Sequence, residues 1–412
     1  MKISLTAFTD RGEALAVRIT KQLNNDGEQA EYVRCGKQHR SSDSTLRTPE
    51  PNTYMRAADW TVKEFARSDA LIFVGAAGIA VRSIAPHIVS KTTDPAVVVI
   101  DEAGRFVIPI LSGHLGGANA LASRLASLTG GQAVITTATD VNGVFAFDDW
   151  ARRMNCAVEN ADLIREVSGT LLGGGTVSIC SDFEISGEVP RGTQLGNFDK
   201  ASVCITICDE KDAGPYIQIR NEKGVESCIT ICSETGAEPC ITIREKESED
   251  PCADTSDERG INGMSALYQS TKERKLRIIP RVVCAGIGCR RGAPADVIEG
   301  AVVEALRENG ISPKALNAIA SIDLKAEEEG IKEFAGKCKV PFLTYSAEEL
   351  RKVPGKFTGS EFVESVTGVD NVCERAAVRA AGRFGELICR KRARAGVTVA
   401  LARRRPDLNW EV

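Results

Sequence analysis

Through the first 140 residues, short apolar runs alternate with amphipathic stretches. Residues 2–8 read as a strand, and 11–23 place Leu15, Ile19 and Leu23 at helical spacing. A second strand spans 30–34. Residues 35–52 then turn polar, with two prolines, and form a loop in which His39 is solvated. A helix over 57–67 leads to a strand at 70–74, which runs into Gly75-Ala76-Ala77-Gly78, and 79–84 resumes a helix. Strands follow at 96–100 and 106–111, then Leu121, Leu125 and Leu128 mark a helix and 133–137 a further strand. The alternation predicts an α/β domain with a doubly wound sheet, its ligand site at the strand C-termini.

A turn-rich stretch at 138–143 opens a second part, with helices at 147–154 and 161–167, three glycines at 173–175 and a strand at 177–180. From 203 to 250 the sequence repeats with a period of 12, as in VCITICDE, PYIQIRNE, SCITICSE and PCITIREK. Each copy is a five-residue strand in strict alternation, isoleucines on one face, which predicts a small meander or solenoid. A third part starts near Leu276: strands at 282–287, 318–322, 341–345 and 397–402, with helices at 293–308, 360–366 and 371–381. The expected division is an N-terminal α/β domain at 1–138, a middle α+β domain at 139–275 carrying the β-rich insert 203–250, and a C-terminal α/β domain at 276–412.

Composition narrows the class. The 412 residues are 43% hydrophobic, too many for wholesale disorder. No apolar run reaches membrane-spanning length and the start lacks a signal-peptide core, so a cytoplasmic protein with no membrane partner is expected. Fourteen scattered cysteines show no disulfide framework and read as reduced thiols. With three histidines and no His-x-x-x-His or Cys-x-x-Cys pair, a zinc site is not expected. Cys204 and Cys208 share a strand face but would stand roughly 13 Å apart, too far to chelate one ion. Residues 203–262 hold 14 acidic and 6 basic side chains, whereas 272–412 hold 26 basic and 19 acidic. Aromatics do not interleave with these basic residues, which argues against a nucleic-acid partner.

Three glycine turns could carry chemistry. Ser112-Gly113-His114 with Gly116, Gly117 and Asn119 joins a strand to a helix start, where backbone N–H groups suit an anion. It adds an imidazole, a hydroxyl and an amide, with Asp101 and Glu102 one strand away. The alternative is that the glycines only permit a tight turn and His114 caps the helix. Gly75 to Gly78, followed by Arg82, is a second turn placed on the same rim; packing is its alternative role. It is neither a dinucleotide fingerprint nor a Walker loop, which counts against a nucleotide-dependent enzyme. Gly286-Ile287-Gly288-Cys289-Arg290-Arg291-Gly292 is the third, an anion-binding candidate with two arginines whose alternative is a solvated surface turn.

Several of these stretches resemble one family. FVGAAGIAVRSIAP at 73–86, DPAVVVIDEAG at 94–104 and LSGHLGGAN at 111–119 resemble the N-terminal part of the cobalt-precorrin-5A hydrolase family of anaerobic cobalamin biosynthesis, and ITTATD at 135–140 its following junction. GIGCRRG at 286–292, ASIDLKA at 320–326, SEFV at 360–363 and VCERAA at 372–377 resemble its C-terminal domain. The 12-residue repeat departs from the family pattern, and Glu327 stands where aspartate is usual.

The resemblance implies that water opens the δ-lactone of a cobalt-bound corrinoid, cobalt-precorrin-5A, and that acetaldehyde leaves to give cobalt-precorrin-5B. Cobalt would arrive within the substrate, so no cofactor or protein-bound metal is expected; neighbouring enzymes of the pathway are candidate partners. Such chemistry needs an activated water and a stabilised oxyanion. His114 is the expected base, oriented or replaced by Glu102, with Ser112 beside it. Gly116, Gly117 and Asn119 would hold the oxyanion. Gly75, Gly78, Arg82, Gly288, Arg290, Arg291, Lys325 and Ser360 would bind the substrate and its carboxylates. Cys289 is either a thiolate nucleophile or a small buried thiol. The rival to an enzyme is a corrinoid carrier that binds intermediates without turnover.

Overall fold

The computed structural model describes residues 1–36, 55–209 and 274–411 with their side chains, that of Asp199 excepted, and the backbone of three strands between 216 and 244. The loop expectation for 35–52, His39 included, and the side-chain alternation of the later repeats lie outside the described residues. Two compact units divide the chain: Met1–Arg153 with Ile164–Thr176, and Met154–Leu163 with Val177–Val412.

In the first unit the order is β1 (Lys2–Ala7), α1 (Asp10–Asn25), β2 (Gln29–Arg34), α2 (Ala57–Phe65), β3 (Ala70–Val74), α3 (Ala77–Ile84), β4 (Ala96–Ile100), β5 (Phe106–Leu111), α4 (Ala118–Thr129), β6 (Gln132–Ala133), α5 (Ala138–Val141) and α6 (Phe147–Arg153). The sheet runs β2-β1-β3-β4-β5-β6. β3 and β4 are buried along their whole length, as continuous apolar runs between two helical layers should be. Ile3, Leu5, Ile72 and Val98 pack with Leu15 and Ile19 of α1 and Leu121 and Leu125 of α4. Leu71, Phe73, Val97 and Val99 pack on the other side with Trp60 and Ile84. Each such side chain contributes about 1.5–3 kcal/mol on full burial, so both layers are firmly held.

One strand departs from the doubly wound expectation. β5 runs antiparallel to β4, pairing Ile100 with Val107 and Val97 with Leu111. Asp101 closes the intervening turn, its Oδ1 accepting the N–H groups of Arg105 at 2.6 Å and Phe106 at 2.7 Å. The reversal separates what the sequence placed together. Gly75 follows β3 and lies level with the 101–105 turn, whereas Ser112 leaves the sheet at its other end, beside Asp94. The two glycine turns therefore do not share a rim.

The chain continues with β7 (Cys156–Glu159), α7 (Ile164–Leu172), which belongs to the first unit, then β8 (Val177–Ser181), β9 (Thr193–Leu195), β10 (Val203–Ile205), β11 (Tyr216–Arg220), β12 (Glu226–Cys232), β13 (Cys240–Arg244) and β14 (Leu276–Pro280). β10, the first copy of the 12-residue repeat, is a central strand in the sheet β7-β14-β10-β8-β9, parallel to both neighbours. β11, β12 and β13 form a separate antiparallel sheet with Ile229 opposite Ile217 and Ile243.

The last stretch comprises β15 (Val283–Cys289), α8 (Ala295–Glu308), β16 (Leu316–Ile322), α9 (Glu329–Cys338), β17 (Phe342–Tyr345), α10 (Ala347–Arg351), α11 (Glu361–Thr367), α12 (Cys373–Ala381), β18 (Glu386–Arg394) and β19 (Val397–Arg403), with sheet order β17-β16-β15-β19-β18. Ile298 and Val302 of α8 and Ile331 and Phe334 of α9 pack on one face; Cys373, Ala377 and Ala381 of α12 pack on the other. α12 approaches so closely that a Cβ on Gly286 would stand 1.8 Å from the Cys373 carbonyl oxygen. That approach accounts for the glycine and for the small residues of VCERAA. The basic run at 390–394 is an edge strand whose Arg392 and Arg394 pair with Glu308 and Glu304 of α8.

Candidate functional site

Beyond β5, Ser112 and Gly117 take positive φ angles of 55° and 82°, reversing the chain into α4. The reversal is tight: a Cβ on Gly116 would fall 2.4 Å from that of Ser112, and one on Gly113 2.8 Å from Asn119 Oδ1. The turn also uses up helix-start donors. Ala118 N–H donates to the Ser112 carbonyl, Asn119 N–H to that of Gly113, and Gly117 N–H to that of His114. Among the described residues no partner takes the Gly116 N–H. Ser112 donates its hydroxyl to the Asp94 carbonyl at 3.0 Å, a bond that fastens the turn to β4.

His114 stands between two aspartates that the sequence reading did not single out. Its Nε2 lies 2.7 Å from Asp140 Oδ2, and its Nδ1 lies 3.2 Å from Asp148 Oδ1. The second contact is close but poorly aligned for a hydrogen bond, so charge attraction is what it supplies. Asn119 donates from Nδ2 to Thr137 Oγ1 at 2.9 Å and to Asp140 Oδ2 at 3.1 Å. The Asp140 Oδ1 atom takes no hydrogen bond among the described residues. Exposure is graded: the side chains of His114 and Asp148 are 10% and 9% exposed, that of Asp140 40%. Arg152, which pairs with Asp149 at 3.0 Å, lies against Gly117, where a Cβ would meet its Cδ at 3.5 Å.

Burial disfavours a charged imidazole, but the carboxylates of Asp148 and Asp140 outweigh it and push the His114 pKa up to about 9. The ring is therefore an imidazolium near neutrality. An imidazolium has no lone pair to receive a proton, so this arrangement suits His114 to donating a hydrogen bond more than to the expected role of base. Nor does Glu102 orient it. Glu102 sits in the turn before β5, a strand length of roughly 17 Å from the turn that follows it.

Within the first unit, the other expected site residues lie apart from this turn. Gly75 has φ 156° with Phe8 filling the place of a side chain, and Arg82 lies over Gly78, all at the far end of the sheet. In the second unit, the turn after β15 is closed by the protein's own acid. Gly292 N–H donates to Glu328 Oε1, and Lys325 Nζ lies 2.9 Å from Glu328 Oε2. Burial opposes the charge, but these partners hold the Glu328 carboxyl below its usual range. Arg291 borders a cleft of about 480 Å³ with Glu327, Glu328, Glu329 and Glu333, a poor setting for an anion. Gly288 faces Thr398 Oγ1, Arg290 packs over Gly396, and Ser360 caps α11 by accepting the Val363 N–H. Burial pushes the Cys289 thiol up, against a thiolate role.

Two family descriptions match the chain: Cobalamin synthesis G N-terminal over residues 59–140, and Cobalamin synthesis G C-terminus over 283–402. The first match holds His114, Asn119 and Asp140; Asp148 lies beyond it. The chain is 34% identical over 338 residues to the cobalt-precorrin-5A hydrolase of Salmonella typhimurium, covering 82% of each. It is 30% identical over 339 residues to that of Priestia megaterium, covering 80% of this chain and 78% of the relative. A crystal structure of CobE, a protein from the cobalamin (vitamin B12) biosynthetic pathway, is 34% identical, covers 30% of this chain and 92% of its own, and has a TM-score of 0.29. Identity of 34% and 30% over about four fifths of two cobalt-precorrin-5A hydrolases makes this chain a member of the cobalt-precorrin-5A hydrolase family.

Proposed function

We propose that this protein is an enzyme that opens the δ-lactone of cobalt-precorrin-5A with water and releases acetaldehyde, giving cobalt-precorrin-5B in anaerobic cobalamin biosynthesis. The observation that carries the reading is 34% identity to a hydrolase of that name over 82% of both chains. The macrocycle brings its own cobalt, and the reading assigns the protein no cofactor. A cytoplasmic location goes with it, supported by fourteen cysteines spaced without a disulfide framework.

The chemistry is assigned to the first unit. Asp140, the most open of the three charged groups, has Oδ1 to receive a proton from the attacking water. The His114 imidazolium beside it and the Gly116 N–H stabilise the charge that develops on the lactone oxygen. Arg152, against the same turn, supplies a cation for one of the carboxylate arms.

Purified protein incubated anaerobically with cobalt-precorrin-5A should release one acetaldehyde per substrate. Stoichiometric binding with no acetaldehyde would instead identify a carrier that hands corrinoids to neighbouring enzymes of the pathway.

A further inference from the structure

We propose that Asp148 is a positioning residue for His114, its buried carboxylate holding the Nδ1 edge of the ring so that the Nε2 edge is presented to Asp140. The inference rests on the hydrolase reading for its consequence in catalysis, though not for its geometry.

Three observations support it. The first is the surroundings of Asp148. It follows Phe147 in the first turn of α6, and Phe147, Trp150 and Ala151 are 2%, 1% and 0% exposed. A carboxylate taken that far from water needs a cation within reach, because an isolated buried charge costs several kcal/mol. The second is which cation faces Asp148. Arg152 and Arg153 of the same helix pair with Asp149 at 3.0 and 2.6 Å, whereas the His114 ring faces Asp148 at 3.2 Å. The third is the asymmetry of the pair. One carboxylate is buried and meets Nδ1; the other is open and meets Nε2. A buried anion facing one nitrogen draws that edge of the imidazolium inward and leaves the opposite nitrogen on the side of the more exposed Asp140.

Among the described residues, the charged groups that face the ring are Asp140 on α5 and Asp148 on α6, with Thr139 a neutral neighbour; Asp149 of α6 pairs with Arg152 and Arg153 of the same helix. Asp148→Asn keeps the shape and removes the charge. Followed by ¹⁵N NMR, with His114→Gln to assign the signal, the His114 titration midpoint should drop by about one unit or more in Asp148→Asn. Its kcat for acetaldehyde release should fall about tenfold or more while KM stays within about threefold, and Asp148→Glu should recover part of both. An unmoved His114 titration beside a lowered kcat would overturn the proposal, since a merely structural role predicts that result. Should Asp148→Asn fail to fold, the wild-type spectrum decides: a protonated Nδ1 at pH 8 supports it, and an unprotonated Nδ1 at pH 7 overturns it. A wild type that titrates in this way but releases no acetaldehyde would refute the hydrolase reading, and the positioning of His114 by Asp148 would stand.

Discussion

The turn at 112–117 and the turn at 289–292 follow one local recipe: a buried strand, glycines, and a helix start. Read along the chain, both are anion sites. In the folded protein the first is met by Asp140 and Asp148 from α5 and α6, which trap an imidazolium between a buried and an open carboxylate. The second is met by Glu328, which occupies the turn itself and is matched by Lys325. Distant chain brings carboxylates to both; what separates them is that the first pair meets an imidazole of the turn, whereas Glu328 takes a backbone N–H of the turn itself. A helix start with spare N–H groups attracts any carboxylate within reach, and in the second unit the protein supplies its own.

The largest effect should come from the ring in the first turn. His114→Gln should lower acetaldehyde release about a hundredfold or more, measured as kcat on purified protein. The same ring makes stability depend on pH. Its folded pKa of about 9 lies above the ordinary value of 6.5, so the stabilisation is complete below about pH 6.5 and lost as pH rises through 9. Wild type should lose on the order of 3 kcal/mol of stability across that window and His114→Gln markedly less, read by urea unfolding at several pH values.

Next in size is the backbone of that turn. Gly116→Ala puts a Cβ 2.4 Å from the Ser112 side chain, and should cost about 1–3 kcal/mol with a matching fall in Tm. In the second turn, Glu328→Ala frees the Gly292 N–H and leaves Lys325 unpaired. It should cost about 1–2 kcal/mol above the ordinary glutamate range near pH 4.5, and progressively less as pH falls through the depressed folded value. Gly292→Ala should be the smallest. Nothing lies within 4 Å of the new Cβ, and only the positive φ of 73° opposes it, at about 1 kcal/mol.

The layered folds were readable where the pattern is physical and local. β3, β4 and β5 have the bounds expected at 70–74, 96–100 and 106–111: β3 and β4, buried on both faces, are continuous apolar runs ended by glycine or charge, and β5, only partly buried, is an apolar run ended by the Ser112-Gly113 turn. Direction was not readable. Nothing in the apolar run of β5 says that it lies antiparallel to β4, and that one reversal sends Ser112 to the opposite end of the sheet from Glu102 and Gly75. β18 was missed because its outward positions carry arginine, and charge on an edge strand reads as a solvated run. β6, Gln132–Ala133, keeps only Ala133 of the strand expected at 133–137; the other residues lead towards α5.

Of the site, the turn itself was legible and its partners were not. His114, Gly116 and Asn119 stand out because glycines crowd a polar cluster between a strand and a helix. Asp140 and Asp148 stand 26 and 34 residues further on, on separate short helices, with no local spacing that points to His114. Asp140 ended a stretch that resembled the family, but nothing marked it as a partner of the ring. Asp148 looks in sequence like any acid in a first helical turn.

The contrast between the turns can be measured directly in one anaerobic assay of acetaldehyde release, with Asp140→Asn and Glu328→Gln prepared beside wild type. The account predicts that kcat/KM falls about a hundredfold or more in Asp140→Asn and stays within about threefold of wild type in Glu328→Gln. Equal losses in the two variants, or a larger loss in Glu328→Gln, would contradict it.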